Sequence, residues 1–393
     1  MLSTARQKQL IDLACQLIST PSLSGQEGEV GRAIGNHMQA LGYDDINTDA
    51  YGNVIGIIHG KKPGPCLLYD GHMDTVAVEP NDWQHDPFGA EIEDDKIFGR
   101  GASDMKGALA AMIAAAGFWA QDCQKDFSGT LVVAGTVHEE VYEGVAAKAV
   151  ADAVKPDYVV IGEASLLTLK RGQRGRAEII ITTRGKAAHS ANPQVGNNAV
   201  YQMVEVIKCL QDLTVPADPV LGPVTLVLTD IISHPYPGTS VVPDACRITC
   251  DWRSIVGETP ESVLEAIEKS IAGLYDKIPG FHADVTLAGN EDHCYTGLAI
   301  RGSGFYPAWL LPDDNELVVK AVQGLTASGL APEISHYSFC TNGSYYAGVA
   351  GIPTIGFGPS REDLAHIADE YIEIDQLTKA TVGYQAITNA LLR

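Results

Sequence analysis

The sequence predicts an α/β protein with a mostly parallel sheet, helices on both faces of that sheet, and a smaller inserted domain. Strands such as CLLYDGH and YVVIGEA alternate with helices such as GVAAKAVADAV. The strand GTLVVAGTV is almost continuously apolar, which is typical of parallel strands buried on both faces. Near Arg174 the pattern changes to alternating strands with amphipathic helices, which indicates a separate layer.

The larger domain begins with two predicted helices, the first at about Ala5–Ile18 and the second ending at about Leu41. The segment GNVIGIIHG is expected to pair as a strand with CLLYDGH, and DPFGAEIEDDKIFGRG to form a hairpin. A buried helix is predicted in SDMKGALAAMIAAAGFWA, with Ser103 as its N-cap. The pattern of the larger domain resumes in ELVVKAVQGLTASGL and IPTIGFG, before a last helix.

Residues 175–293 are predicted to form the inserted domain, with the βαββαβ order of a ferredoxin-like layer. Its expected strands are GRAEIIITTRG, VTLVLTDII, VVPDACRITCDWRS and FHADVTLAG. Its second helix is expected to follow Thr259, because threonine is a preferred N-cap and Pro260 suits the first helical position. Residues 1–174 and 294–393 are then the two parts of the larger domain.

Composition excludes several classes of protein. A net charge of −22 leaves no basic stripe for a phosphate backbone, so we expect no nucleic-acid partner. No apolar run of about 18 residues indicates a membrane span. The N-terminal segment lacks the apolar core of a secretory signal, and the 8 cysteines are scattered as in a reducing, cytoplasmic setting. Cys246 and Cys250 would need a second pair to form a zinc knuckle.

Carboxylates and imidazoles follow the predicted strands and the hairpin of the larger domain. They are His72, Asp104, Glu140, Glu163 and His366. Because ligands collect outside the carboxyl ends of strands in open α/β sheets, we expect these side chains to converge. The set suits two divalent metals, with one aspartate bridging them and one imidazole and one glutamate on each. Without a thiolate it favours zinc, with cobalt or manganese as alternatives.

Two neighbours of this set have further expected roles. Asp74 lies two residues from His72 and is expected to hold the second nitrogen of that imidazole. Glu139 precedes Glu140, so one carboxylate can bind metal while the other takes a proton from the metal-bound water. Each residue alone also fits a structural role, such as a surface histidine or a solvated glutamate pair. Only their joint occurrence at strand ends indicates a site.

Seven motifs occur in the order of a known family: GHMDTV, GRGASDMKG, HEEVYEG, IGEAS, GKAAHSANPQVGNNAV, VVPDACRITCDWRS and HIADEYI. Over nearly its whole length the chain resembles the di-zinc aminoacylase, carboxypeptidase G, acetylornithine deacetylase and succinyl-diaminopimelate desuccinylase family of metallohydrolases. The resemblance implies that His72 and Glu163 bind one metal and that Glu140 and His366 bind the other. It implies that Asp104 bridges the two metals.

The resemblance implies further roles outside the metal ligands. Glu139 is implied as the general base and Asp74 as the residue that orients the first imidazole. His189, in the lid motif GKAAHS, is implied to reach a neighbouring subunit's site and stabilise the tetrahedral oxyanion, which implies a homodimer. The implied substrate-binding residues are Arg253, Asn198 and Ser240. Taken alone, an arginine on a lid strand also fits a structural ion pair.

Two departures from the family pattern concern the substrate. Ser240 stands where many members have asparagine, and CTNGSYY replaces Gly-Thr-Ser-Asp. These details are similar to a subgroup of bacterial hydrolases linked to selenium-dependent purine metabolism. The expected reaction is hydrolysis of an amide bond in an N-acyl amino acid or small peptide, by a zinc-activated water with a glutamate general base.

Several alternatives stay open from the sequence. A deacylase, a dipeptidase, a carboxypeptidase and an N-carbamoyl amidohydrolase differ in a few lid contacts that the sequence does not resolve. A non-catalytic metal-binding scaffold of the same fold is expected to lack ligands or the base. A nucleotide-dependent oxidoreductase is disfavoured, because Gly99, Gly101 and Gly107 miss the G-x-G-x-x-G spacing. An HExxH peptidase is excluded by Tyr142.

Overall fold

The structure is a computed structural model that describes residues 2–393, and the chain divides into two compact units. The larger unit comprises the chain up to Gln173, Glu291–Arg301 and Trp309–Arg393. The smaller unit comprises Arg174–Asn290 and Gly302–Ala308. Residues 302–308 also belong to the smaller unit. The sequence did not predict this, because it placed the end of the inserted domain at residue 293.

The secondary structure is mixed. The helices are α1 (Thr4–Ile18), α2 (Gly28–Leu41), α3 (Lys106–Asp122), α4 (Ala147–Val154), α5 (Ala199–Gln211), α6 (Pro260–Ile271), α7 (Leu274–Lys277), α8 (Glu316–Ala327) and α9 (Ile374–Leu392). The strands of the larger unit are β1 (Asp45–Thr48), β2 (Val54–His59), β3 (Lys62–His72), β4 (Ile92–Glu93), β5 (Lys96–Phe98), β6 (Ser128–Thr136), β7 (Tyr158–Ile161), β8 (Leu169–Gln173), β17 (Glu291–His293), β18 (Ala299–Arg301), β20 (Trp309–Leu310), β21 (Ile334–Tyr337), β22 (Thr354–Gly356) and β23 (Tyr371–Glu373). The strands of the smaller unit are β9 (Arg176–Arg184), β10 (Ala188–His189), β11 (Ala217–Asp218), β12 (Gly222–Pro223), β13 (Thr225–His234), β14 (Val241–Val242), β15 (Ala245–Arg253), β16 (Ala283–Leu287) and β19 (Phe305–Tyr306).

The central sheet of the larger unit has the order β1-β2-β6-β3-β7-β22-β8-β20, with β21 beside β8. Strand β3 runs parallel to β6 and to β7, and β22 runs parallel to β7. The mainly parallel sheet is therefore confirmed. The expected pairing of β2 with β3 is wrong, because β6 lies between them and pairs with both. The crossover through α3 returns the chain beside β3, which is the usual placement for a parallel neighbour.

Helices cover both faces of this sheet, as predicted. Leu67 and Tyr69 of β3 belong to the core formed with α1, α3 and α9. The intervening Leu68 belongs to a second core, with Ala147 and Val150 of α4. Successive residues of a strand point to opposite faces, so β3 stabilises both layers.

Helix α3 is buried along nearly its whole length, from Lys106 to Ala120. The expected cap is wrong: the helix begins at Lys106, and Ser103 does not cap it. The Ser103 N–H donates to the Glu370 carboxylate at 2.7 Å, and its hydroxyl donates to the Ser360 hydroxyl at 2.8 Å. Ser103 therefore bonds residues that are distant in the chain and does not bond the first turn of α3.

The smaller unit is a ferredoxin-like layer. Its sheet has the antiparallel order β13-β15-β9-β16, with β19 also paired to β9. Helix α6 follows Thr259, whose hydroxyl accepts from the Ser262 N–H while the Ser262 hydroxyl accepts from the Thr259 N–H. This reciprocal capping box confirms the helix start expected from Thr259 and Pro260.

All 8 cysteines are free thiols. Within residues 2–393, no helix combines the length and the apolar character that crossing a membrane requires.

Candidate metal centre

The parallel strands deliver three acidic or imidazole positions to one edge of the sheet. His72 is the last residue of β3, Glu140 lies four residues after the end of β6, and Glu163 lies two residues after the end of β7. Strand β3 lies between β6 and β7, so their carboxyl ends are adjacent. Asp104 and His366 come from loops that precede α3 and β23.

These five residues form two groups that share Asp104. His72 Nε2 lies 2.9 Å from Asp104 Oδ1 and 3.5 Å from Glu163 Oε1. His366 Nε2 lies 3.2 Å from Asp104 Oδ2 and 2.9 Å from Glu140 Oε2. Within each group the potential ligand atoms all lie within 4.8 Å of one another. One carboxylate oxygen of Asp104 therefore faces each group, as a bridging ligand requires.

The electrostatics of this cluster favour a bound cation. Burial, and then the charge of Asp104, raises the pKa of Glu140 to about 7, and the same causes raise the pKa of Glu163 well above its usual range. The pKa of His366 rises to about 10 through hydrogen bonds to Asp104 and Glu140. Neighbouring carboxylates that cannot all be ionised without a counter-charge are suited to binding divalent metals. The two positive charges of each ion can replace the protons that these carboxylates otherwise bind.

The Glu139 side chain differs from those of the five residues. Its carboxylate is buried, and burial raises its pKa well above the usual range. Its Oε1 atom has no hydrogen-bond partner within residues 2–393. Glu139 is therefore a basic carboxylate beside the cluster with an oxygen free to accept a proton.

Asp74 contacts both the His72 imidazole and the loop that carries Glu139 and Glu140. The backbone carbonyl of Asp74 lies 2.9 Å from His72 Nδ1, while its carboxylate lies 3.6 Å from that nitrogen. The carboxylate accepts the N–H groups of Glu139 at 3.1 Å and Glu140 at 3.2 Å, and the Ser24 hydroxyl at 2.7 Å. The nearer contact to the imidazole is thus the carbonyl, and the carboxylate mainly holds the following loop.

Glu370 is a residue of this centre that the sequence analysis missed. Its side chain is fully buried. It accepts hydrogen bonds from the Arg100 guanidinium at 2.7 Å and from the N–H groups of Gly101 at 3.0 Å, Ser103 at 2.7 Å and Asp104 at 2.9 Å. It thereby fixes the loop that carries the shared aspartate. The available signal was its place in HIADEYI, four residues after His366.

A second buried network lies behind the centre, in the segment CTNGSYY. The Asp70 carboxylate accepts from the Asn342 amide at 2.9 Å and from the Tyr346 hydroxyl at 2.8 Å. The same amide nitrogen donates to the Thr136 hydroxyl at 2.9 Å, and the Asn342 oxygen accepts from the Gly144 N–H at 2.8 Å. This segment therefore ties the ends of β3 and β6 to each other, at the place where the sequence departs from the family pattern.

The remaining predicted residues lie in the smaller unit. His189 on β10 is paired with Val241 on β14, and the Ser190 N–H donates to the Ser240 carbonyl at 3.0 Å, so His189 and Ser240 are near one another. The other two predicted residues have local partners. Asn198 caps α5, and Arg253 Nε lies 2.7 Å from Asp251 Oδ1.

The two groups that share Asp104 could hold two metal ions on an α/β fold, and comparison with known proteins identifies the family. The family model for peptidase family M20/M25/M40 matches residues 68–390. The chain belongs to this family, which confirms the resemblance seen in the sequence, and it is a metal-dependent hydrolase of amide bonds.

Three similar proteins illustrate the relationship. The uncharacterized protein YgeY of Escherichia coli (strain K12) is 33% identical over 380 residues, covering 94% of this chain and 91% of the relative. Succinyl-diaminopimelate desuccinylase of Hydrogenovibrio crunogenus is 27% identical, covering 96% of this chain and 97% of the relative. The crystal structure of YXEP of Bacillus subtilis, a dinuclear metal-binding peptidase of the M20 family, has a TM-score of 0.69 at 18% identity and covers 99% of each chain.

Proposed function

We propose that the protein hydrolyses the amide bond of an N-acyl amino acid or a small peptide, with two zinc ions per chain and Glu139 as the general base. The observation that carries this proposal is the pair of ligand groups sharing Asp104, with an unpaired Glu139 oxygen beside them. The 27% identical relative named as a desuccinylase supports an acylated amino acid as the substrate class.

The proposed ligands follow the two groups. His72 and Glu163 would hold one ion, Glu140 and His366 would hold the other, and Asp104 would be common to both groups. When bound, such ions polarise the scissile carbonyl and make water acidic enough to act near neutral pH. Zinc is favoured by this set of imidazole and carboxylate ligands, with cobalt or manganese as substitutes.

Glu139 is proposed to move the proton of the reaction. Its Oε1 takes the proton from the attacking water and later returns it to the leaving amine, as general acid–base catalysis requires. Its carboxylate is buried beside the cluster and its Oε1 has no hydrogen-bond partner within residues 2–393, so that oxygen is available for the proton. Asp74 keeps the loop in place by accepting the Glu139 N–H.

The smaller unit is proposed to act as a lid and to form a homodimer. His189 would stabilise the oxyanion at a neighbouring subunit's site, as the family resemblance implies, and Arg253, Asn198 and Ser240 would contact substrate. Strand β13 supports this proposal, because it is the outermost strand of its sheet and exposes Val227 (53%) and Ile231 (52%). An unpaired apolar edge favours addition of another strand. The cytoplasmic location expected from the sequence stays a prediction.

Amine release tests the proposal. Metal-stripped and zinc-reloaded protein is assayed on N-acetyl, N-succinyl and N-carbamoyl amino acids and on dipeptides. We expect turnover of one of these classes that disappears on stripping and returns with zinc. Protein that holds two metals per chain but turns over none of the panel would contradict the proposed substrate class. Preference for the dipeptides would favour the peptidase alternative over the deacylase.

A further inference from the structure

We infer that Ser24 is a positioning residue for the catalytic loop, defined here as residues 137–140 after β6, and that it acts through Asp74 on the backbone of Glu139 and Glu140. The inference deepens the proposed function and rests on it for its catalytic consequence. The segment TPSLSGQE, which contains Ser24, connects α1 to α2.

The loop is fastened alongside the chain that follows β3. The Ser22 hydroxyl donates to the Met73 carbonyl at 2.7 Å, and the Thr75 N–H donates to the Ser22 carbonyl at 2.9 Å. Leu23 forms a parallel bridge with Thr75. The loop therefore lies against the chain just beyond the end of β3 and brings the Ser24 hydroxyl to Asp74.

The Ser24 bond is the shortest of the hydrogen bonds described for the Asp74 carboxylate, at 2.7 Å to Oδ2. Oδ2 also accepts the Glu140 N–H, and Oδ1 accepts the Glu139 N–H. The plane of an aspartate carboxylate is only weakly fixed by its own torsion. A charge-assisted bond from a third direction sets that plane, so that both oxygens face successive peptide groups.

The same loop holds the preceding peptide group through Glu27. This buried carboxylate accepts the Gly25 N–H at 2.9 Å and the His138 N–H at 3.2 Å, both on Oε1. The successive N–H groups of residues 138, 139 and 140 are thus all received by buried carboxylate oxygens, from Glu27 and Asp74. The loop over residues 22–27 in turn supports both carboxylates, because Ser24 donates to Asp74 and the Gly25 N–H donates to Glu27.

The catalytic loop needs such external support because of its backbone conformation. His138 has φ of +55°, in the left-handed region that non-glycine residues enter only at an energetic cost. The strain persists only where surrounding bonds fix the turn. The turn sets the direction of Glu139 relative to Glu140, and a general base misplaced by about 1 Å can lose about a hundredfold in rate.

The test compares Ser24→Ala with Ser22→Ala, because both serines anchor the same loop and only Ser24 contacts Asp74. We expect Ser24→Ala to lower kcat at least about tenfold, with KM and metal content unchanged. We expect Ser24→Thr to restore most of the rate, since it keeps the hydroxyl. Ser22→Ala keeps the backbone contacts of Ser22 and Leu23 with Thr75, so it is expected to leave kcat near the wild-type value while lowering thermal stability.

A second readout does not depend on activity. Hydrogen exchange of the Glu139 and Glu140 amides is expected to accelerate in Ser24→Ala and to stay unchanged in Ser22→Ala. Equal exchange of the Glu139 and Glu140 amides in the two variants would overturn the positioning role. A wild-type kcat in Ser24→Ala would also overturn it. A wild-type protein that hydrolyses none of the panel would overturn the proposed function instead, while the exchange comparison would still judge Ser24.

Discussion

At the scale of single residues, Glu139 and Glu140 are adjacent in the chain and have different partners. Glu140 Oε2 is bonded by His366, so it belongs to the ligand cluster. Glu139 Oε1 is buried without a partner within residues 2–393. An unpaired buried acceptor costs about 1–3 kcal/mol, and the proposed proton transfer by Glu139 accounts for its presence here.

The Glu139→Gln variant is expected to keep both metals and to lose most of its activity. The amide preserves the shape of the side chain but cannot take a proton, and general bases contribute at least about a hundredfold to the rate. Metal content by elemental analysis and kcat together check this. Retention of more than about a tenth of the wild-type kcat would be incompatible with the proposed role. Glu140→Gln serves as the matched control, because it is expected to lower metal content.

The Glu370→Ala variant is expected to destabilise the fold by about 3–5 kcal/mol, because it leaves the buried Arg100 charge without its partner. It also removes the acceptor for the Asp104 N–H, so metal affinity should fall. Urea unfolding and a competitive chelator titration measure the two effects. Asp363→Ala breaks an exposed pair with Arg361 and should change stability by less than about 1 kcal/mol. Similar losses in the two variants would contradict the assignment.

At the scale of elements, the segment over residues 340–346 acts as a brace between β3 and β6. Asn342 makes three hydrogen bonds with its side chain, and each partner is buried. An amide is required there, because it donates to Asp70 while accepting from Gly144. A carboxylate of the same shape cannot do both.

The Asn342→Asp variant is expected to lose about 2–4 kcal/mol of folding stability, because two donated bonds disappear and a carboxylate faces the Asp70 carboxylate. Thermal and urea unfolding measure this loss. The control is Asn389→Asp, which makes the same chemical change at an exposed position on α9. A stability loss no larger than that of the control would show that the network contributes little.

The sequence predicted the types of elements and the members of the cluster better than it predicted which strands lie next to each other in the sheet. His72, Glu140 and Glu163 could be placed together because parallel strands end at one edge, which is a general property of such sheets. The position of β6 between β2 and β3 could not be predicted from apolar pattern, since all three strands are buried alike. Glu370 accepts backbone N–H groups of a loop distant in the chain, and Ser24 donates to the side chain of the distant Asp74. The spacing of residues along the chain does not predict such contacts.

At the scale of the whole molecule, bound metal should contribute to folding stability. A ligand that binds only the native state at a thousandfold excess over its Kd stabilises that state by about 4 kcal/mol. We therefore expect a chelator to lower the Tm of the wild type and zinc to restore it. His366→Ala, which removes one ligand of the second group, should reduce this difference, whereas Glu139→Gln should preserve it. An unchanged Tm on chelation would contradict a metal centre within the fold.

The proposed homodimer makes a prediction at the same scale. The double variant Val227→Lys with Ile231→Lys places charges on the exposed edge strand β13 and is expected to shift the protein to a monomer. Light scattering after gel filtration measures the mass, and metal content should stay unchanged. Val319→Lys on α8 of the larger unit is the control for an exposed apolar position. A wild-type protein that is already monomeric would refute the proposed assembly.

The sheet order of the larger unit also has a consequence for biosynthesis. Strand β22 lies between β7 and β8, although it is made about 180 residues after them. His366 and Glu370 follow β22 along the chain. A nascent chain therefore carries a gap in its central sheet and an incomplete set of metal ligands until these late segments leave the ribosome. The central sheet and the cluster of candidate metal ligands can therefore be completed only late in synthesis, after β22 and His366 have been made.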